Sequence, residues 1–486
     1  MSLMNVAAKG MVWTTISTVI KSIVGLVQIS ILTRHLEMSA FGTVAIATVF
    51  IGFTQIFRDM GISSGIMHKQ DTTRDEFSSL FWLNIFTGIF LSLILMGCAP
   101  LVAMSYNDDT LTPVIMLLSL TVLFGALGSQ HSTMQQKNMR FKYIAGVEIT
   151  SSIFALITAV VLATNGYGIY SLVYSTLTGT AVANLLFLIV GLVKDKNIDF
   201  HFKLKETYPY LKIGAFSIGA KVLDYFSREI DIMFIGASYG AQVLGLYTLC
   251  KKIVQMLYGL INPVITKILT PMFASLQEDK TRVISVYYKL IETLSITNLP
   301  VYFLVAVFSQ TILYYLYGPE YVEGAFILAI LSIYYGILSL GNPVGSLQIA
   351  FGRTDLGFYW TIYRLVTTFI ILYIASFYNI ETLVLLFLVL SVINTIALWR
   401  FQIFNMVQMT FASYFSAMLK PLIGIIIICL PFYIFFWSKV SLPYAIGSSV
   451  IVLVLYFIYV QKFLSNSYIV GLVNNNISPY LNKKKF

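Results

Sequence analysis

The chain has 486 residues, 58% of them hydrophobic and only 11% charged, with a mean hydropathy of +0.83 and a net charge of +10. A chain so apolar and so sparsely charged cannot be a soluble enzyme, a nucleic-acid-binding protein or a disordered segment. A spanning helix takes about 20 apolar residues, so the apolar content has room for about fourteen of them.

In chain order, apolar runs predict spans at residues 11–33, 41–57, 79–103, 113–134, 143–163, 168–192 and 211–235. A second set follows at 243–270, 290–316, 325–350, 358–376, 382–399, 421–437 and 443–461. The first run is too long for a cleavable signal peptide and carries Lys21 at its centre. Glu148 intrudes into the fifth run, and Lys251, Lys252 and Lys267 into the eighth. Asp108-Asp109 falls in a short turn and reads as a solvated loop, whereas 193–210, the longest polar stretch, reads as a linker between two halves. Asn262-Pro263, Pro271, Pro300 and Gly341-Asn342-Pro343 read equally as hinges or as fixed kinks. Cys98, Cys250 and Cys429 lie in apolar stretches without CxxC spacing and read as buried free thiols. His35, His68, His131 and His201 are scattered, so no metal site is indicated. There is no DxD, P-loop or HExxH motif, and the connections on the side away from the N-terminus are too short for glycan-joining chemistry. The expectation is transport, with no catalysis and no cofactor.

Lys and Arg in the connections test the alternation. The side of the N-terminus holds 22 of them and the opposite side only Arg34 and Lys439. Positive charge marks the cytoplasmic side, so both termini are expected in the cytoplasm.

Residues 10–47 can be laid on 214–250, with Gly10 on Gly214 and, after a one-residue gap, Gly42 on Gly245; HKQDTTR at 68–74 likewise corresponds to LQEDKTR at 276–282. Both stretches begin a span that runs outward, which makes a parallel repeat of six helices, and transporters commonly place the substrate path between two such halves. The fold class expected is an all-α polytopic membrane protein of about 14 transmembrane helices. Its organisation would be a six-helix lobe over 1–195, a linker over 196–210, a pseudo-symmetric six-helix lobe over 211–405, and two further helices with a basic tail over 406–486.

Seven basic residues remain inside spans: Lys21, Lys221, Arg228, Lys251, Lys252, Lys267 and Arg364. At roughly 2.5–3.5 kcal/mol each near mid-depth, they persist only beside water or a partner. Lys267 and Arg364 lie near span ends, where snorkelling accounts for them as well as function does. Lys21 and Lys221, near mid-helix, favour a hydrated cavity. In AKVLDYFSREID at 220–231, the spacing of Lys221, Asp224, Arg228 and Asp231 puts them on one face with alternating sign. Such a stripe either lets a polar helix survive between others or forms a cavity wall whose acids hold the cations until an anionic ligand arrives. In the repeat Lys21 falls on Tyr225, within one turn of that stripe. A diphosphate needs charge-assisted donors of this kind. A sugar chain needs aromatic faces, and Tyr225, Phe226, Tyr247, Tyr258, Tyr359, Trp360 and Tyr363 are candidates to supply them. Asp224, Glu229 and Asp231 are candidates for ion coupling, without a ligand geometry.

The stretches RHLEMSAFG (34–42), FRDMGISSGIMHKQDTTRDEFSSLFWLN (57–84), QQKNMRFKYIAGVEI (135–149), LTPMFASLQED (269–279) and AFGRTDLG (350–357) carry a family resemblance. The chain resembles the Wzx-type polysaccharide flippases of the MOP superfamily, in the colanic acid and teichuronic acid exporter branch. It departs from that pattern at Met38-Ser39, where the family commonly has Ser-Pro. The resemblance implies a cavity lined by helices 1, 2, 7 and 8. It also implies movement of undecaprenyl-diphosphate-linked oligosaccharide repeat units from the inner to the outer leaflet by alternating access. Carried over by position, the cavity cations are Lys21, Arg58 beside Asp59, Lys221, Arg228, Lys251 and Lys252, with Arg364 a further candidate. The implied setting is the bacterial cytoplasmic (inner) membrane. The implied partners are the lipid-linked oligosaccharide, membrane lipids, a polysaccharide polymerase and a chain-length regulator, and no nucleic acid. Two alternatives within the superfamily are a peptidoglycan-precursor flippase and an ion-coupled multidrug exporter. The exporter typically has an acid in helix 1, where this chain has Lys21.

Overall fold

The computed structural model describes residues 3–69, 71–195, 198–435 and 441–464. The side chains of Asn262, Pro263, Lys267 and Pro271, together with Lys439 and the basic tail, lie outside the described residues, and so do the expectations placed on them. Among the described residues the elements are all helical. Hydrocarbon offers backbone N–H and C=O groups no partner, so each segment must satisfy its own.

The chain forms two compact units, Met1–Leu249 and Cys250–Phe486. The first contains α1 (Leu3–Leu32), α2 (Met38–Asp59), the short α3 (Ile62–His68), α4 (Arg74–Tyr106), α5 (Leu111–Lys137), α6 (Phe141–Thr164) and α7 (Tyr170–Val190). α8 (Leu204–Leu276) begins in this unit and is interrupted at Gly240, whose φ of 80° and ψ of 173° are not helical. Tyr247 donates a hydrogen bond to Asp231 at 2.6 Å although 16 residues separate them, a span of about 24 Å along a straight helix. The chain therefore doubles back at Gly240, giving arms 204–239 and 241–276. Thirteen stretches among the described residues are long and apolar enough to cross a bilayer, and the longest, Lys221–Gly259, contains this reversal. Counted as two passes it brings the total to fourteen, and the chain is a polytopic membrane protein.

Small residues and interhelical hydrogen bonds hold the spans of the first unit together, as expected where lipid removes the hydrophobic contrast. A Cβ on Gly88 of α4 would come within 2.7 Å of Ala126 on α5. Asn84 donates to the Ala126 carbonyl at 2.9 Å, and Ser92 donates to the Ser119 carbonyl at 3.0 Å. α2 lies along α8 through Gly42, where a Cβ would stand 1.9 Å from the Ala241 carbonyl oxygen, and reciprocally a Cβ on Gly245 would stand 1.9 Å from that of Met38. Midway, Tyr225 crosses over Gly52 and donates to the Val49 carbonyl at 2.7 Å. At the far end Gly61 meets Gly214 backbone to backbone, and the left-handed φ values of Met60 and Gly61 turn the chain from α2 into α3 there.

The same end carries polar capping. Thr73 and Glu76 form a capping box that starts α4. Lys69 pairs with Glu76, which pushes the Lys69 ammonium above its usual range. The Ser79 hydroxyl and His201 together hold the Glu206 carboxyl below the ordinary carboxylate range.

The second unit contains α9 (Lys280–Val307), α10 (Ser309–Leu316), α11 (Ala325–Leu340), α12 (Pro343–Ala350), α13 (Thr354–Ala375), α14 (Ile380–Leu398), α15 (Phe404–Val407), α16 (Phe411–Phe435) and α17 (Leu442–Phe463). Asp279 and Asn379 cap α9 and α14 by accepting from Arg282 and Thr382 backbone N–H groups at 3.0 Å. Phe273, Tyr287, Ile291, Tyr414 and Ile425 form part of its buried core. The expected kinks resolve differently from one another. Pro300 is buried inside α9 without interrupting it, the break falling at Phe308, whereas Gly341-Asn342 does separate α11 from α12.

Candidate functional site

Each intramembrane cation of the first unit meets an acid, and in two of three cases the acid comes from another helix. Lys21 lies about 17 Å from either end of the Lys9–Leu32 span. Its ammonium stands 3.3 Å from Glu148 on α6, which also accepts from the Ser17 hydroxyl one turn away on α1. The pair is half-exposed, at 44% and 36% of the side-chain surfaces. From the sequence Glu148 reads only as an intruder in an apolar run; an acid inside one span and a lone lysine inside another are the signal available for their pairing.

Lys221 is not at mid-depth as its place in the apolar run suggested. It sits level with the end of α2, its ammonium 3.2 Å from Asp59, whose other carboxylate oxygen caps α3 by accepting from Ser63. Arg58 turns the other way. Its guanidinium lies on the Gly125 backbone of α5, where a Cβ would come within 1.7 Å of it, and donates to the Val122 carbonyl at 3.5 Å, while Nε is buried without a hydrogen-bond partner. Neighbours in sequence, Arg58 and Asp59 thus serve different surfaces.

The stripe on α8 divides. Arg228 pairs with Asp224 at 3.0 Å, the i,i+4 geometry read from the spacing, and both are well exposed. Lys221 goes to α2 instead. Asp231 is buried and joins the two arms of α8 through Tyr247. Glu229 is half-buried. In the second unit Lys251 is buried, Lys252 exposed and Arg364 half-buried. The aromatic candidates include Phe226, 5.1 Å from Phe53, and Trp360 stacked on Tyr363 at 5.1 Å.

Two further expectations, for the Asp108 turn and for the cysteines, are corrected by the structure. Asp108 does more than face solvent: it accepts from Thr43 at 2.8 Å and from Thr110, and it lines a cavity of about 610 Å³ with His35, Glu37, Tyr106 and Gly240. Cys250 and Cys429 are buried free thiols, but Cys98 is exposed on α4. Among the described residues no cluster of His, Cys, Asp and Glu could hold a metal ion.

With this geometry in view, the sequence profile of the family described as "Polysaccharide biosynthesis protein" matches residues 31–325. The chain belongs to that family. Among its relatives, the lipopolysaccharide biosynthesis protein WzxC of Escherichia coli (strain K12) is 28% identical, over 92% of this chain and 89% of its own length. The teichuronic acid biosynthesis protein TuaB of Bacillus subtilis (strain 168) is 26% identical over 85% of each chain. Among solved structures, the lipid II flippase MurJ in its inward closed conformation superposes with a TM-score of 0.76 at 14% identity, over 94% of this chain and 99% of that one. The chain therefore has the fold of that flippase, in keeping with the all-helical architecture that the sequence resemblance implied.

Proposed function

We propose that the chain is a flippase that carries a lipid-diphosphate-linked oligosaccharide repeat unit from the inner to the outer leaflet of a bacterial cytoplasmic membrane by alternating access. The two relatives above bear the names of different polysaccharides. A ligand chemistry common to them lies in the anionic linkage to the lipid more readily than in the sugars. The observation that carries the reading is Lys21, a mid-span ammonium that is half-exposed and held by Glu148 of another helix. An ammonium within a span is costly without an anionic partner, and one that is half-exposed is accessible to a phosphate. Arg228 and Lys221, each paired and each accessible, extend the same chemistry along α8.

The test separates a ligand cation from a structural ion pair. Lys21→Gln and Arg228→Gln should abolish surface polysaccharide in cells lacking the native gene, at normal membrane abundance of the protein. Glu148→Gln and Asp224→Asn should retain export, because a phosphate can take the place of the lost carboxylate. Equal loss from removal of acid or base would make the pairs structural and sink the assignment.

A further inference from the structure

The segment that leads into α8 is fastened to α4 by its backbone. Asp199 N–H donates to Ser78 at 2.9 Å, Lys203 N–H to Ser79 at 3.0 Å, and the Trp82 indole to the Asp199 carbonyl at 3.0 Å. Ser78 and Ser79 are fully buried, so these anchors are shielded from water.

Side chains alternate along the segment. Asp199 and His201 are held by ion pairs, to Arg74 at 2.7 Å and to Glu206 at 3.0 Å. Phe200 and Phe202 turn outward, and Phe200 is 98% exposed. Phe200 stacks on Trp82 at 5.6 Å, and Phe202 meets Phe86 edge-on at 5.7 Å. Phe86 opens an exposed apolar stripe that continues down α4 through Phe90, Leu93 and Leu101. On a spanning helix such a stripe is the lipid face. The two phenylalanines therefore prolong that face past its polar end, into the zone where aromatic rings gather at the bilayer–water border.

Charge beside them is sorted. The acids Asp199 and Glu206 are engaged with Arg74, Ser79 and His201, whereas the Lys203 side chain is 67% exposed and Lys205 and Lys212 are exposed as well. Lys203 reaches Glu206 only at 3.9 Å. An apolar edge rimmed by outward lysines is complementary to an anionic lipid head group over acyl chains.

We propose that residues 198–212 form an interfacial strap that binds anionic phospholipid, with Phe200 and Phe202 among the upper acyl chains and Lys203, Lys205 and Lys212 on the phosphate head groups. This site is separate from the cations assigned to the transported ligand, and it stands or falls independently of that reading.

Trp82, in contact with the strap, reports on it. Full-length protein keeping Trp82, with Trp13, Trp360, Trp399 and Trp437 replaced by Phe, is placed in nanodiscs. These contain a fixed fraction of acyl-brominated phosphatidylglycerol or acyl-brominated phosphatidylcholine. Trp82 emission should be quenched more strongly by the brominated phosphatidylglycerol, reflecting local enrichment of about fivefold per lysine engaged. The difference should vanish in Lys203→Gln/Lys205→Gln/Lys212→Gln protein. If that variant does not fold, added salt on the parent protein gives the same reading, since screening should erase the preference. Equal quenching by the two lipids, or a preference that survives both treatments, overturns the proposal. Absence of quenching by either lipid also overturns it and leaves the surface to a protein partner.

Discussion

Asp59 divides its carboxylate between the start of α3 and the ammonium of Lys221, 162 residues away. That pairing could not be read from spacing within α8, which instead suggested that Lys221 belongs with Asp224. Local spacing was right where the geometry is local, at Asp224 and Arg228, because a helix fixes residues four apart. It failed for Lys221 and offers no partner for Lys21, because both partners are set by which helices pack together. The energetics of the Asp59 pair can be bounded. Both side chains keep contact with solvent, 19% and 44% exposed, so water screens much of the attraction. A double-mutant cycle of Asp59→Asn and Lys221→Gln, followed by thermal unfolding in detergent, should give a coupling of at most about 1 kcal/mol. A coupling near the ~3–5 kcal/mol of a buried pair would make this ion pair a structural clamp and weaken the case for Lys221 as a ligand cation.

At the scale of helices, glycine decides how closely α2 and α8 run. Gly42 and Gly245, matched in the internal repeat, meet each other's neighbourhoods, and at each the obstacle to a side chain is a backbone carbonyl that cannot rotate aside. The repeat alignment singled out both glycines but not their contact, since one sequence carries no register between helices. Gly42→Ala or Gly245→Ala should therefore destabilise by about 1–3 kcal/mol, the cost of overpacking, and the double variant should lose less than the sum because one separation relieves both clashes. Gly219, on α8 as well, has nothing within 4 Å of the place a methyl group would occupy, and it serves as the internal control. Gly219→Ala should be neutral or stabilise by up to about 1 kcal/mol through helix propensity. Differential scanning fluorimetry distinguishes these outcomes. Equal melting temperatures for Gly42→Ala and Gly219→Ala would show that the close approach is not a constraint.

For the molecule as a whole, the number of passes was legible because hydrocarbon demands long apolar runs that few other structures contain. The reversal between residues 235 and 243 was legible only as a gap between two runs, and Gly240 supplies its conformational reason. The direction of insertion rests on the 22-to-2 division of Lys and Arg and on that reversal together. In a background with Cys98, Cys250 and Cys429 replaced, single cysteines at Asp109, Asn138, Glu278 and Tyr378 place four connections. A membrane-impermeant maleimide on intact cells should label Asp109→Cys and Tyr378→Cys, and reach Asn138→Cys and Glu278→Cys only after permeabilisation. The opposite pattern would invert the orientation. The pairing of Asp109 with Tyr378 is the sharper reading, because an even number of passes must separate two residues on one side. If α8 crossed once instead of folding back at Gly240, that number would be odd and the two cysteines would label on opposite sides.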